Sequence, residues 1–210
     1  MTHPQADATR RALHAVAELV LAGPQHRTSG TIRLAVTPSG FRTVAAPDLA
    51  VEGVDLLVAG ERIPLAGRSC EELAATAGVA AGAPRGVYGD HSDIGPAEPL
   101  SLDPDAAAWL ERCWTAGATA LAGLDPACQP VLWPEHFDVG ILTAEGKGFG
   151  VSPGDAAIPE PYAYVSPASP RTGTFWNAPF GAARPMRELG DGLLAFFTEG
   201  RARADSDPAR

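Results

Sequence analysis

The sequence predicts an α+β protein, mainly antiparallel sheet in hairpins and a C-terminal meander, with about four helices. Three observations predict it. Short alternating runs are separated by Gly, Pro or Asn/Asp turns, as hairpins require. Helical periodicity recurs near both ends and in the middle, with recognisable start signals. No regular strand–helix–strand alternation is present, so a parallel sheet is not expected.

In chain order, Thr9 to Leu21 is the first helix, with Leu13, Val16, Ala17 and Val20 on one stripe and His14 on its polar side; Gly23-Pro24 is expected to end it. Thr31–Thr37 alternates, Pro38-Ser39-Gly40 turns, and Phe41–Ala45 returns. Val54–Val58 and Arg62–Leu65 form a second hairpin around Ala59-Gly60. Ser69 and Glu72 have capping-box spacing, so a short helix begins there and stops near Gly78. Residues 80–99 are rich in Gly and Pro and read as a long surface loop, with Asp90 and Asp93 as turn formers. Asp103-Pro104 opens a helix running to about Gly123, with Leu110, Cys113, Trp114, Gly117, Leu121 and Leu124 buried. Val131–Thr143 is expected as one strand, followed by a turn at Ala144–Gly148 and strands at Phe149–Val151, Tyr162–Val165 and Thr174–Asn177. A last helix spans about Arg187–Arg203, weakened at its start by Gly190 and Gly192. The expected organisation is a single globular domain over 1–204 with a frayed tail at 205–210.

The totals limit the function. A net charge of -9 without a local basic cluster argues against nucleic-acid partners and against anionic membrane surfaces. Three cysteines, Cys70, Cys113 and Cys128, lack C-x-x-C spacing, so neither a disulfide framework nor a zinc knuckle is expected. No apolar run reaches the length of a membrane span and the N-terminus carries no apolar signal core, so a soluble cytoplasmic protein is expected.

Two motifs invite a reading and fail it. Gly150-Val151-Ser152-Pro153-Gly154 matches G-x-S-x-G. The residue after the serine must offer its N–H to an oxyanion, and Pro153 has none; no helix can follow; and every histidine precedes Ser152. Gly148 and Gly150 lack the spacing and helix of a phosphate loop.

Two H-x-D pairs remain, His91-Ser92-Asp93 and His136-Phe137-Asp138. Residues two apart on a strand share a face, so His136 and Asp138 could converge; with His91 and Asp93 they would supply four ligands to a divalent metal. Without a metal, Asp138 could orient His136 as a general base. Trp133, Asp155, Tyr162, Tyr164, Trp176 and Asn177 would then line a small-molecule pocket, with 80–100 as its lid. The plainer alternative makes the pairs solvated and the tryptophans core. A non-catalytic interaction module, such as a homodimer through exposed aromatics, is the competing function.

The segments L-W-P-E-H-F-D (132–138), G-V-S-P-G-D (150–155), E-P-Y-A-Y-V (160–165) and F-W-N-A-P-F-G-A (175–182) together resemble a family of uncharacterised bacterial proteins, a domain of unknown function. The resemblance covers roughly the C-terminal third and implies no reaction, cofactor or catalytic residue.

Overall fold

The computed structural model describes residues 3–89 and 91–210; Asp90, read above as a turn former, lies outside them. The fold class is α+β, with ten strands among the described residues. The chain falls into two compact units, where one domain is expected from the sequence. The first comprises Met1–Arg112 and Leu132–Phe137, the second Cys113–Val131 and Asp138–Arg210.

In the first unit, helix α1 (His3–Ala15) continues through a π-helical stretch, Val16–Ala22, into α2 (Gly23–Ser29). The expected stop at Gly23-Pro24 does not occur. The Gly23 N–H reaches back to the Glu18 carbonyl, the wider π spacing. Pro24 has no N–H to give the Leu19 carbonyl, and the Gly82 N–H takes that acceptor at 2.9 Å. A Cβ at Gly23 would collide with the Gly82 carbonyl, so glycine is required for this approach. Arg27 also donates to the Gly82 carbonyl. Gly23-Pro24 is therefore a docking notch for the following loop, and the π stretch, Glu18 included, is buried all round.

Antiparallel strands β1 (Leu34–Thr37), β2 (Gly40–Thr43), β3 (Leu49–Glu52), β4 (Asp55–Val58) and β5 (Glu61–Pro64) follow as a meander, and β6 (Val131–Trp133) pairs with β1 through Leu34 and Leu132. Strand β3 is not anticipated from the sequence; Pro47 precedes it closely. Gln25 ties α2 to these strands. Its Oε1 accepts from the Val44 and Ala45 amides at 2.6 and 2.9 Å, and its Nε2 donates to the Thr31 and Arg33 carbonyls at 3.1 and 2.8 Å. Helix α3 (Cys70–Thr76) carries the expected capping box: the Glu72 amide donates to Ser69 Oγ, and the Ser69 amide to the Glu72 carboxylate.

Helix α4 (Pro104–Leu124) begins in the first unit and ends in the second, and its expected stripe is buried. In the second unit, strands β7 (Asp138–Leu142), β8 (Gly148–Ser152), β9 (Tyr162–Ser166) and β10 (Ala182–Pro185) form an antiparallel meander. One face of it is apolar: Val139, Ile141, Phe149, Val151, Ala163 and Val165. Two helices come close to that face at glycines. A Cβ on Gly117 of α4 would sit 2.8 Å from Val151 Cγ2, and one on Gly200 would sit 2.6 Å from Val165 Cγ2. Thr174–Asn177 is not a strand; β10 takes that role slightly later. The final helix is broken by the two glycines into α5 (Met186–Leu189), a 3-10 turn (Gly190–Gly192) and α6 (Leu193–Ser206), which carries Gly200. The C-terminal tail pairs with residues 170–172. The Thr172 amide donates to the Pro208 carbonyl and the Arg210 amide to the Pro170 carbonyl. Lys147, the only lysine, is buried in an ion pair with Asp205 at 2.5 Å.

Candidate functional site

The expected strand Val131–Thr143 is interrupted. Pro134–Phe137 forms a turn between β6 and β7, with Phe137 at φ 56°. Pro134 cannot donate to a ladder, and the left-handed Phe137 breaks the alternation on which the shared face of His136 and Asp138 depended. The ring of Phe137 is buried, stacked on His14 at 5.4 Å and edge-on to Phe41. His14 Nε2 donates to the Pro134 carbonyl at 2.7 Å, and burial pulls its pKa below the ordinary histidine value. His14 thus props this turn from within and does not lie on a solvated side.

His136 stands on the turn with a side chain 60% exposed and Glu135 at 3.5 Å. Asp138 lies on β7, buried, and accepts a hydrogen bond from the Tyr164 hydroxyl. The His136–Asp138 general-base pairing rested on a continuous strand, which the turn removes. Asp93 faces Arg11 at 3.8 Å, and His91 is engaged with Glu18. Among the described residues no group of three or more His, Cys, Asp or Glu could hold a metal ion, so the ligand set His91, Asp93, His136 and Asp138 is not assembled.

Trp133 is half-buried in β6 of the first unit, with the Arg33 guanidinium 5.8 Å from its ring centroid. Trp176 donates to Asp207 at 2.9 Å, fastening the C-terminal tail, and Asn177 brackets the backbone of Ala183 on β10. Of the expected lid, Gly82, His91 and Ser92 are bonded to the helical stretch of the first unit.

The other four expected residues do come together, in the second unit. Opposite the apolar face of its sheet lie Asp138 and Gly140 on β7, Gly150 and Ser152 on β8, and Tyr162 and Tyr164 on β9. The register aligns Gly140 with Gly150 and Gly150 with Tyr164, and Ser152 with Tyr162. A Cβ at Gly140 would lie 2.8 Å from the Tyr164 oxygen, and one at Gly150 would lie 2.5 Å from its Cζ. The Tyr164 ring therefore lies flat across two bare glycine positions, which lets its hydroxyl reach Asp138 two strands away. An aromatic covering cross-strand glycines is a recognised device for shielding bare backbone.

Tyr162 is placed by the S-P-G-D turn. Ser152 Oγ accepts from the Gly154 amide at 3.1 Å. Asp155 Oδ1 caps the turn by accepting from the Ala157 and Ile158 amides at 2.7 and 2.8 Å. Its Oδ2 accepts from the Tyr162 hydroxyl at 2.7 Å. Burial and then the Asp155 hydrogen bond push the Tyr162 pKa up. Burial and then the charge of Asp138 do the same to Tyr164. Both phenols stay protonated and donate to carboxylates. The G-x-S-x-G match is a strand ending in a turn, with Ser152 buried and no helix after it.

Sequence reasoning missed Phe180. It is 42% exposed, near-parallel to Tyr162 at 6.3 Å and edge-on to Tyr164 at 6.4 Å. It missed Glu18 too, whose only outward sign is an acidic residue inside an otherwise apolar run, A-V-A-E-L-V-L. No family model, no curated protein and no solved structure matches the chain.

Proposed function

We propose that the protein binds a small molecule at the tyrosine–aspartate face of β7, β8 and β9, and that the ligand is neutral or cationic and rich in hydrogen-bond donors. The observation that carries this reading is the concentration of acceptors beside an exposed ring. Phe180 packs on Tyr162 and Tyr164, whose hydroxyls have spent their protons on Asp155 and Asp138; Asp138 and Tyr162 are buried, and the half-buried Asp155 and Tyr164 are the acceptors nearest solvent. Such a surface repels anions and rewards hydroxyl, amine or amidine groups carried on a flat or apolar frame. The overall charge of -9 adds to the same preference. Phenols held protonated suit recognition better than nucleophilic or base chemistry at this face.

The test is ligand-observed NMR with a panel of polyols and planar amines set against carboxylates and phosphates. Donor-rich compounds should bind, and Phe180→Ala and Tyr164→Phe should weaken them while the far-ultraviolet dichroism is unchanged. Preferential binding of the anions would overturn the reading. So would a dimer by light scattering in which Phe180→Ala yields monomer and no compound binds, the result expected of an interaction module.

A further inference from the structure

We propose that Glu18 and His91 form a carboxylate–imidazole pair in which His91 Nε2 accepts a proton from the O–H of a small hydroxyl-bearing substrate or of a bound water. This is a second site, in the first unit, and it does not depend on the ligand-binding reading above.

The argument begins with Glu18. Its side chain is fully buried, on the π-helical stretch created where Pro24 cannot bond in the ordinary spacing. Irregular π turns of this kind recur at functional positions because they turn a side chain off the regular helical track. A buried carboxylate must be supplied with donors. Oε2 accepts from the Ser92 amide at 2.8 Å and the Ser92 hydroxyl at 2.7 Å. Oε1 lies 2.6 Å from His91 Nδ1. The Ser92 amide can only donate, so Oε2 is an acceptor; with Glu18 ionised, the third contact, at Oε1, is met by an N–H on Nδ1.

That contact fixes the tautomer. With its proton on Nδ1, the neutral His91 ring carries its lone pair on Nε2. The side chain is 45% exposed, and no partner for Nε2 is found among the described residues. The Tyr88 ring packs against the imidazole at 5.3 Å, which limits its rotation. Asp93, two residues on, is held by Arg11 through its carbonyl and its carboxylate. Tyr88 and Asp93 thus flank the imidazole, the one packed on its ring and the other facing Arg11. A carboxylate behind the ring and an open nitrogen in front is the arrangement that a general base requires. In the step itself the substrate O–H bond breaks, its proton joins Nε2, and the electron pair stays on oxygen. The positive charge on the ring is balanced by Glu18. Return of the proton from Nε2 to the same oxygen restores the starting state, and no further reactant is consumed.

A purely structural role, with His91 and Ser92 serving only to anchor the loop, makes the opposite forecast in one experiment. Diethyl pyrocarbonate acylates the unprotonated imidazole nitrogen, and peptide mass mapping reads His91 separately from the other histidines. If Glu18 supports Nε2, Glu18→Gln should slow modification of His91 severalfold, while Ser92→Ala, which loosens the anchor alone, should leave the rate near wild type. If the contact is only an anchor, Glu18→Gln frees the ring and modification becomes faster, or Ser92→Ala matches Glu18→Gln; either result overturns the proposal. Should Glu18→Gln not fold, long-range proton–nitrogen NMR of the wild-type protein decides: an Nδ1–H tautomer with bare Nε2 upholds the proposal, and a proton resident on Nε2 refutes it.

Discussion

Gly150→Ala tests whether the candidate binding face is built as described, through the competition of three effects. Alanine relieves the entropic cost of glycine in a strand, a gain of roughly 0.5–1 kcal/mol. Against this, the new Cβ would stand 2.5 Å from Tyr164 Cζ and 2.6 Å from the Val139 carbonyl oxygen. The ring can swing away, but the carbonyl belongs to the strand paired with β8 and cannot. Overpacking of this kind costs about 1–3 kcal/mol. Displacing Tyr164 also breaks its bond to the Asp138 carboxylate, worth about 1.5–3 kcal/mol for a charged acceptor. The losses win, and Gly150→Ala should destabilise by about 2–5 kcal/mol. Tyr164→Ala should cost a similar amount by loss of the ring and the same hydrogen bond. The two changes remove one shared arrangement, so the double variant should be more stable than the sum of losses implies, by about 1–3 kcal/mol of coupling. Urea unfolding of the four proteins, followed by far-ultraviolet dichroism, measures this. Additivity within about 0.5 kcal/mol would show that Tyr164 does not rest on Gly150, and would remove the structural basis of the face.

Three further outcomes are expected. His14 has a folded pKa below its ordinary 6.5, so below that value the unfolded chain binds more protons; stability should be fully present above about pH 6.5 and decline as the pH falls toward the folded value, and His14→Phe should flatten this part of a urea-midpoint profile. Gln25→Leu leaves two amides and two carbonyls without their partner and should cost about 3–5 kcal/mol by urea titration, at about 1–3 kcal/mol for each poorly solvated group and less for those that water can reach. The Cys70 thiol is pushed up to about 12 by burial and by the charge of Glu18, so it should resist Ellman's reagent at pH 8 in the native protein and react fully in urea.

What could be read from the sequence, and what could not, follows from the range of the forces involved. The Ser69–Glu72 capping box and the buried stripe of α4 rest on residues three or four apart, and the chain forms them as their spacing dictates. Asp138, Asp155, Tyr162 and Tyr164 are nominated from the sequence as polar and aromatic groups beside one strand end, and in the structure strand alternation puts Asp138, Tyr162 and Tyr164 on one face, with Asp155 on the turn that follows β8. The failures occur where a distant segment supplies the missing partner. Gly23-Pro24 carries a stop signal, yet the helix continues, because Gly82, some sixty residues on, donates to the carbonyl that Pro24 leaves open. Val131–Thr143 carries a strand pattern, yet it turns at Pro134, because His14 offers its ring N–H to the Pro134 carbonyl and a flat surface to Phe137. Glu18 sits in an apolar run where local pattern argues for Leu or Ala, and donors from the distant His91 and Ser92 make a carboxylate tolerable there. In each case a local rule is broken at a position where another part of the chain compensates. Two of these breaks, Pro24 and Glu18, belong to the helical stretch that holds the loop of His91. The departures from local rule are thus concentrated around one imidazole and its carboxylate, which is where a chemical role would require them.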